Sequence, residues 1–138
     1  MKNVLIVDND LGFIFWLGAA LVGAGYRPWP ACSPSDAISV ANRKPLSRLH
    51  LLVVNASLPG VSKLIAHLRR TQAHLRVIAL GPRDNTLVGV TAWHSAPCTG
   101  DDSAKQEWVR AVKHMSGRQN RAAYPCGPPL TTQATGIE

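Results

Sequence analysis

Acidic residues are scarce in this 138-residue chain: eight Asp and Glu stand against fifteen Lys and Arg, leaving a formal charge of +7. Any chemistry that needs a carboxylate cluster must draw it from six Asp and two Glu. Cysteine is scarce as well. Cys32, Cys98 and Cys126 are odd in number and share no Cys-x-x-Cys or Cys/His spacing. That argues against a disulfide framework and a zinc site, and leaves the expectation of ordinary thiols in a reducing compartment. Long hydrophobic runs are missing: the longest uncharged apolar stretch, Leu11 to Tyr26, falls short of the ~20 residues that a bilayer span needs. It follows Asp8 and Asp10 rather than a basic leader with a cleavage site, so it does not read as a signal peptide. No Gly-rich phosphate loop and no Ser/His/Asp arrangement is visible, which argues against an enzyme. His50, His67, His74, His94 and His114 have no paired ligand spacing and read as surface or boundary residues. The expectation is a soluble, cytoplasmic protein.

What is present is apolar: 46% hydrophobic residues with 17% charged, enough for one globular domain. Val4-Leu5-Ile6-Val7 is the kind of short run expected of a strand buried on both faces, and Asp8-Asn9-Asp10 behind it can cap a helix. That helix, from about Leu11, stops at Gly23-Ala24-Gly25. Tyr26 to Cys32 reads as an edge strand, because Pro28 and Pro30 cannot donate to a central ladder. Ser33-Pro34 opens a helix that ends before Pro45. Leu49 to Val54 is a second buried strand, followed by a helix with Val61, Leu64, Ile65 and Leu68 on one face. Leu75 to Leu80 is a fourth strand and Val90 to Ser95 a weaker fifth. Asp101 and Asp102 start a last helix with Ala104, Trp108, Ala111, Val112 and Met115 inward. From Ser116 onward Gly, Pro, Thr and Gln dominate, so the spacing predicts a folded domain over 1–115 and a disordered tail over 116–138. Five strands alternating with helices predict a doubly wound α/β domain on a parallel sheet, with its functional crevice beyond the carboxyl ends of the strands.

Three blocks then carry a family resemblance: Val4-Leu5-Ile6-Val7-Asp8-Asn9-Asp10, Leu51-Leu52-Val53-Val54-Asn55-Ala56-Ser57-Leu58-Pro59-Gly60, and Gly89-Val90-Thr91-Ala92-Trp93-His94-Ser95-Ala96-Pro97. Together, over about residues 2–115, they resemble the signature blocks of bacterial response-regulator receiver domains. The resemblance implies a flavodoxin-like, five-stranded sheet in the order 2-1-3-4-5. It also implies phosphoryl transfer from a histidine kinase to an Asp at the end of the third strand, with Mg²⁺ held by acidic residues, and with a hydroxyl residue and a Lys on the phosphoryl oxygens. Here the chain departs from the pattern. Asp8 matches the first acid, but Asn9 stands at the second, Asn55 at the acceptor, Gly81 at the hydroxyl and Ala96 at the Lys, with Pro97 kept behind it. A carboxamide is uncharged and cannot accept a phosphoryl group, and Mg²⁺ dehydrates reluctantly. The expectation is a degenerate form, a pseudo-receiver, with no Mg²⁺ and no phosphorylation. Trp93 stands at the switch-aromatic position, where a fixed packing role is expected.

Two further readings concern partners. Between Gly81 and Ala96 the chain is too short for a full helix plus two loops, so the fourth helix is expected to be shortened or missing. The first helix carries no charge, and at 100° per residue Phe13, Trp16, Leu17, Ala20 and Leu21 face the sheet. That leaves Ile14, Phe15, Gly18 and Val22 as a candidate interface, most simply between two copies, the other reading being that the last helix or the tail folds over it. The chain thus reads as a contact protein within or beside a two-component system, a homodimer with a protein partner such as a histidine kinase or another regulator, and with no membrane role. The competing readings are a small nucleic-acid-associated regulator using Lys63, Arg69, Arg70, Arg76 and Arg83, and a domain that binds a small ligand in the vacated crevice. No nucleic-acid motif or interleaved aromatics accompany that basic edge, so a solvated face is the simpler account.

Overall fold

The computed structural model describes residues 2–43, 48–95 and 102–117. The elements in chain order are β1 (Lys2–Val7), α1 (Leu11–Gly23), β2 (Tyr26–Ala31), α2 (Pro34–Ala41), β3 (Leu51–Asn55), α3 (Val61–Thr71), β4 (Arg76–Leu80), β5 (Ala92–His94) and α4 (Asp102–Gly117). All neighbouring strands are parallel, in the order β2-β1-β3-β4-β5. The doubly wound sheet expected from the alternation is the one observed. Pro28 and Pro30 lie in β2 at the sheet edge, where a missing N–H costs no ladder bond.

The period of two along each central strand builds two cores. Val4, Ile6, Leu51, Val53, Ile78 and Leu80 pack against α1 and α4, while Leu5, Val7, Leu52, Val54 and Val77 pack against α2 and α3. Both layers are dry, with every one of these side chains at most 3% exposed, which is why the central strands read as unbroken apolar runs. Helix starts are fixed by side chains: Asp10 Oδ1 accepts the Phe13 N–H at 3.2 Å, and Ser33 Oγ accepts that of Asp36 at 3.1 Å. α4 buries Trp108, Val112 and Met115 as its spacing predicts, with Ala104 and Ala111 half-buried. It extends to Gly117, so the first two residues assigned to the tail are helical; residues 118–138 lie outside the described ones. Among the described residues no helix is long and apolar enough to cross a membrane.

The connection from β4 to β5, residues 81–91, contains no helix. It folds back on itself instead: the Asp84 carboxylate accepts the N–H and hydroxyl of Thr86 at 2.9 and 2.7 Å, and Leu87 and Val90 plug the α3 side of the core. Arg69 of α3 donates to the Leu75 carbonyl at 2.8 and 3.3 Å, and its guanidinium lies against Gly89, whose φ is 96°. β5 starts two residues later than its apolar run suggests. Thr91 uses its hydroxyl to accept the Val77 N–H at 3.0 Å, so the regular ladder begins only at Ala92.

One expectation for α1 is overturned. Ile14 is buried, 3% exposed, and faces the sheet beside Phe13, Leu17 and Leu21. Gly18 is half-buried against β2, where an added Cβ would sit 3.7 Å from the Pro28 ring. Trp16, expected inward, is half-buried and packs against that core, and Ala20 is half-buried. A helix apolar on every side has no hydrophobic phase of its own, so its rotation is set by what it packs on, here β2 and α4. Phe15 and Val22 do point outward, 69% and 61% exposed, and Leu11 joins them at 55%.

Candidate functional site at the carboxyl ends of the strands

The β1–β3 register pairs Val7 with Val54, so the residues that follow, Asp8 and Asn55, emerge side by side above the core that α1 covers. They meet there: the Asn55 carboxamide donates from Nδ2 to Asp8 Oδ1 at 3.1 Å. Asp8 is 5% exposed, and a carboxylate so enclosed needs donors. Its second is the Asp10 N–H, 3.2 Å from the same oxygen. The other end of the carboxamide is engaged as well, with Asn55 Oδ1 accepting the Ser57 N–H at 2.9 Å and the Ser57 hydroxyl at 2.7 Å. Hydrogen-bond chemistry dictates that orientation: the amino side must face a carboxylate and the carbonyl side an N–H.

The other predicted site residues occupy the same rim unequally. Asn9 is exposed beside Asp8, and Asp10 spends its carboxylate on the α1 cap. Gly81 closes β4 with its N–H on the His94 carbonyl at 2.9 Å and a φ of 120°, a conformation that disfavours any residue with a Cβ. Trp93 is half-buried in β5, paired with Ala79. Ala96 lies outside the described residues. Among the described residues, no three of His, Cys, Asp and Glu come together in a way that could hold a metal ion.

Sequence reasoning did not give the partners of two polar residues that the fold uses. His94, read as a surface or boundary residue, is half-buried and packs tilted on Trp108 of α4 at 4.8 Å between ring centroids, and Trp108 in turn meets the Phe13 edge at 5.7 Å. Burial lowers the His94 pKa, with Glu107 pulling weakly the other way. At the opposite end of the sheet Asn3, 7% exposed, donates to the Arg48 carbonyl at 2.8 Å and accepts the Trp29 indole N–H at 3.1 Å. A lone Asn before an apolar run was a signal for the second; nothing in the spacing marked the first.

Superposition on the receiver domain protein from Methanospirillum hungatei gives a TM-score of 0.72 at 16% identity, covering 88% of this chain and 98% of that one. The fold is that of a response-regulator receiver domain. The receiver domain protein from Clostridium thermocellum is similar at a TM-score of 0.70 and 16% identity, over 87% of this chain and 98% of the other. The chemotaxis response regulator of Vibrio cholerae gives 0.65 and 18%, over 81% and 98%. No family model and no curated protein matches the sequence.

Proposed function

We propose that this chain is a pseudo-receiver: a signalling protein of receiver fold that accepts no phosphate, holds no Mg²⁺, and works by protein contact in or beside a two-component system. In this reading it catalyses nothing and forms a homodimer through the outward stripe of α1. The observation that carries the reading is the closed hydrogen-bond circuit of Asn55, with its nitrogen on Asp8 and its oxygen on Ser57. A magnesium ion needs several oxygen ligands aimed at one point. Here the amide N–H already answers the Asp8 carboxylate, and Asp10 is turned to its helix. A hydrogen bond to an ionised group contributes about 1.5–3 kcal/mol, so the crevice is stable with no cation.

Incubation of the full chain with Mg²⁺ and acetyl phosphate, followed by intact-mass measurement, tests this. No adduct is expected. Asn55→Asp alone is also expected to stay unmodified, because Asn9 adds no charge and Ala96 supplies no ammonium. An acid-stable, base-labile adduct on Asp8 or Asp10 of the unaltered chain would refute the reading.

A further inference from the structure

Asp8 is satisfied on one side only. Both donors that reach it, the Asn55 carboxamide at 3.1 Å and the Asp10 N–H at 3.2 Å, meet Oδ1, and among the described residues Oδ2 receives none. The side chain is 5% exposed, yet Oδ2 is not sealed in: the one fully enclosed side-chain polar atom without a partner among the described residues is Trp16 Nε1. A carboxylate oxygen therefore opens into the crevice from an otherwise enclosed site, where it needs a donor. Two residues on, the α1 cap uses Oδ1 of Asp10 and leaves its Oδ2 without a described partner. No Lys or Arg among the described residues pairs with either carboxylate, and the stretch after β5, Ala96-Pro97-Cys98-Thr99-Gly100, brings neither by sequence.

The charge of the surrounding face agrees. Asp8 and Asp10 follow β1, Asp36 opens α2, Asp84 follows β4 and Asp102 opens α4, so every described Asp lies on the carboxyl-end side of the sheet. Lys63, Arg83 and Lys105 share that side. The balance there is acidic in a chain whose net charge is +7, and a ligand drawn to it is a cation. Hydrogen-bond geometry then chooses among cations. A divalent metal needs several oxygens aimed at one point, and among the described residues no three of His, Cys, Asp and Glu come together. A guanidinium grips a carboxylate best through two parallel bonds, one to each oxygen, and Oδ1 of Asp8 already carries two donors. An ammonium is a compact charge that takes one oxygen from each acceptor. One such oxygen is what Asp8 and Asp10 each have left.

We infer that the crevice at Asp8 and Asp10 binds a protonated primary amine, carried by a Lys side chain of a protein partner or by a small molecule. The inference rests on the reading of a crevice without Mg²⁺ and deepens it by giving that site a ligand chemistry.

The test is titration of the isotope-labelled full chain with n-butylamine at neutral pH, with n-butylguanidinium and NaCl at matched ionic strength as controls. Saturable amide shifts are expected at Asp8, Asn9, Asp10 and Asn55, with n-butylguanidinium about tenfold weaker. Asp8→Asn should abolish the shifts. Asp10→Asn, which keeps a capping side chain, should weaken binding about threefold or more, and Asp84→Asn should leave it unchanged. A blocked peptide with one Lys among Ala residues is the second probe: binding tighter than n-butylamine assigns the ammonium to a protein partner, equal binding assigns it to a small amine, and either upholds the inference. Shifts no larger than those in NaCl, equal binding of the guanidinium, or shifts that survive both variants at positions 8 and 10 would overturn it. Mg²⁺ is titrated separately. Saturable Mg²⁺ shifts at the same amides would refute the pseudo-receiver reading, whereas a chain silent to both Mg²⁺ and amine overturns this inference alone.

Discussion

His50 receives a hydrogen bond at the base of the sheet: its Nδ1 accepts the Asn3 N–H at 3.1 Å, a role only the neutral ring can fill. Burial lowers its pKa, with Lys2 and Arg48 adding to the effect, and burial likewise lowers that of His94 against Trp108. Both rings therefore protonate less readily in the folded chain than in the unfolded one, where the value is about 6.5. Between the two values the unfolded chain binds more protons, so stability falls as pH drops through about 6.5 and is fully present above about 7. Urea melts between pH 5 and pH 8 should show stability rising with pH over the lower half of that range, and His94→Gln should flatten part of the rise. A flat profile in the parent chain would contradict the assignment. Neither histidine declared itself in the sequence, because His50 gains its partner from a residue 47 positions away and His94 from the last helix.

The connection of residues 81–91 replaces a helix with a folded loop held by few groups. Leu87 and Val90 supply its apolar contacts, while Arg69 donates to the Leu75 carbonyl with its guanidinium beside Gly89. Gly89 is the tightest point: an added Cβ would fall 2.6 Å from Arg69 Nη1 and 3.1 Å from Ile65 Cγ2, at a φ of 96°. Gly89→Ala should cost about 1–3 kcal/mol, from backbone strain and a displaced guanidinium, seen as a lower denaturant midpoint. Gly23→Ala, with open space around its Cβ, should cost nothing or stabilise slightly. The missing helix was legible by counting residues between Gly81 and Ala96, since helix length is a matter of geometry. The rotation of α1 was not: its apolar residues fall on every side, so Ile14 and Phe15 look alike until β2 and α4 choose between them. α4, with a polar face opposite Trp108 and Val112, carried its own phase and was read correctly.

For the molecule as a whole, the doubly wound parallel sheet followed from the alternation of buried runs with amphipathic ones, its strand order from the family resemblance, and the crevice from the rule that parallel strands point their carboxyl ends at the site. What no run of residues could show is that Asn55 bonds Asp8, since that pairing depends on the β1–β3 register. Association is also a property at this scale. The outward stripe is Leu11, Phe15 and Val22, and since α1 has no charged residue, a two-fold contact through it would bring no like charges together along the helix. Three side chains cover far less than the ~800 Å² per partner of a standard interface, so a weak dimer is expected. Sedimentation should show dimer populated at micromolar concentration and Phe15→Glu shifted to monomer; a monomeric parent whose solubility the substitution leaves unchanged would dismiss the dimer.

The backbone at Gly81 bears on how such a chain could change over evolutionary time. Asn55 is one base substitution from Asp, so a carboxylate could enter that position in a single step. A hydroxyl residue at 81 would have to enter a φ of 120°, at about 1–2 kcal/mol, out of a stability margin of about 5–15 kcal/mol. On the pseudo-receiver reading proposed above, a carboxylate at 55 is the change that the fold admits most easily, and a hydroxyl residue at 81 the one that the backbone opposes.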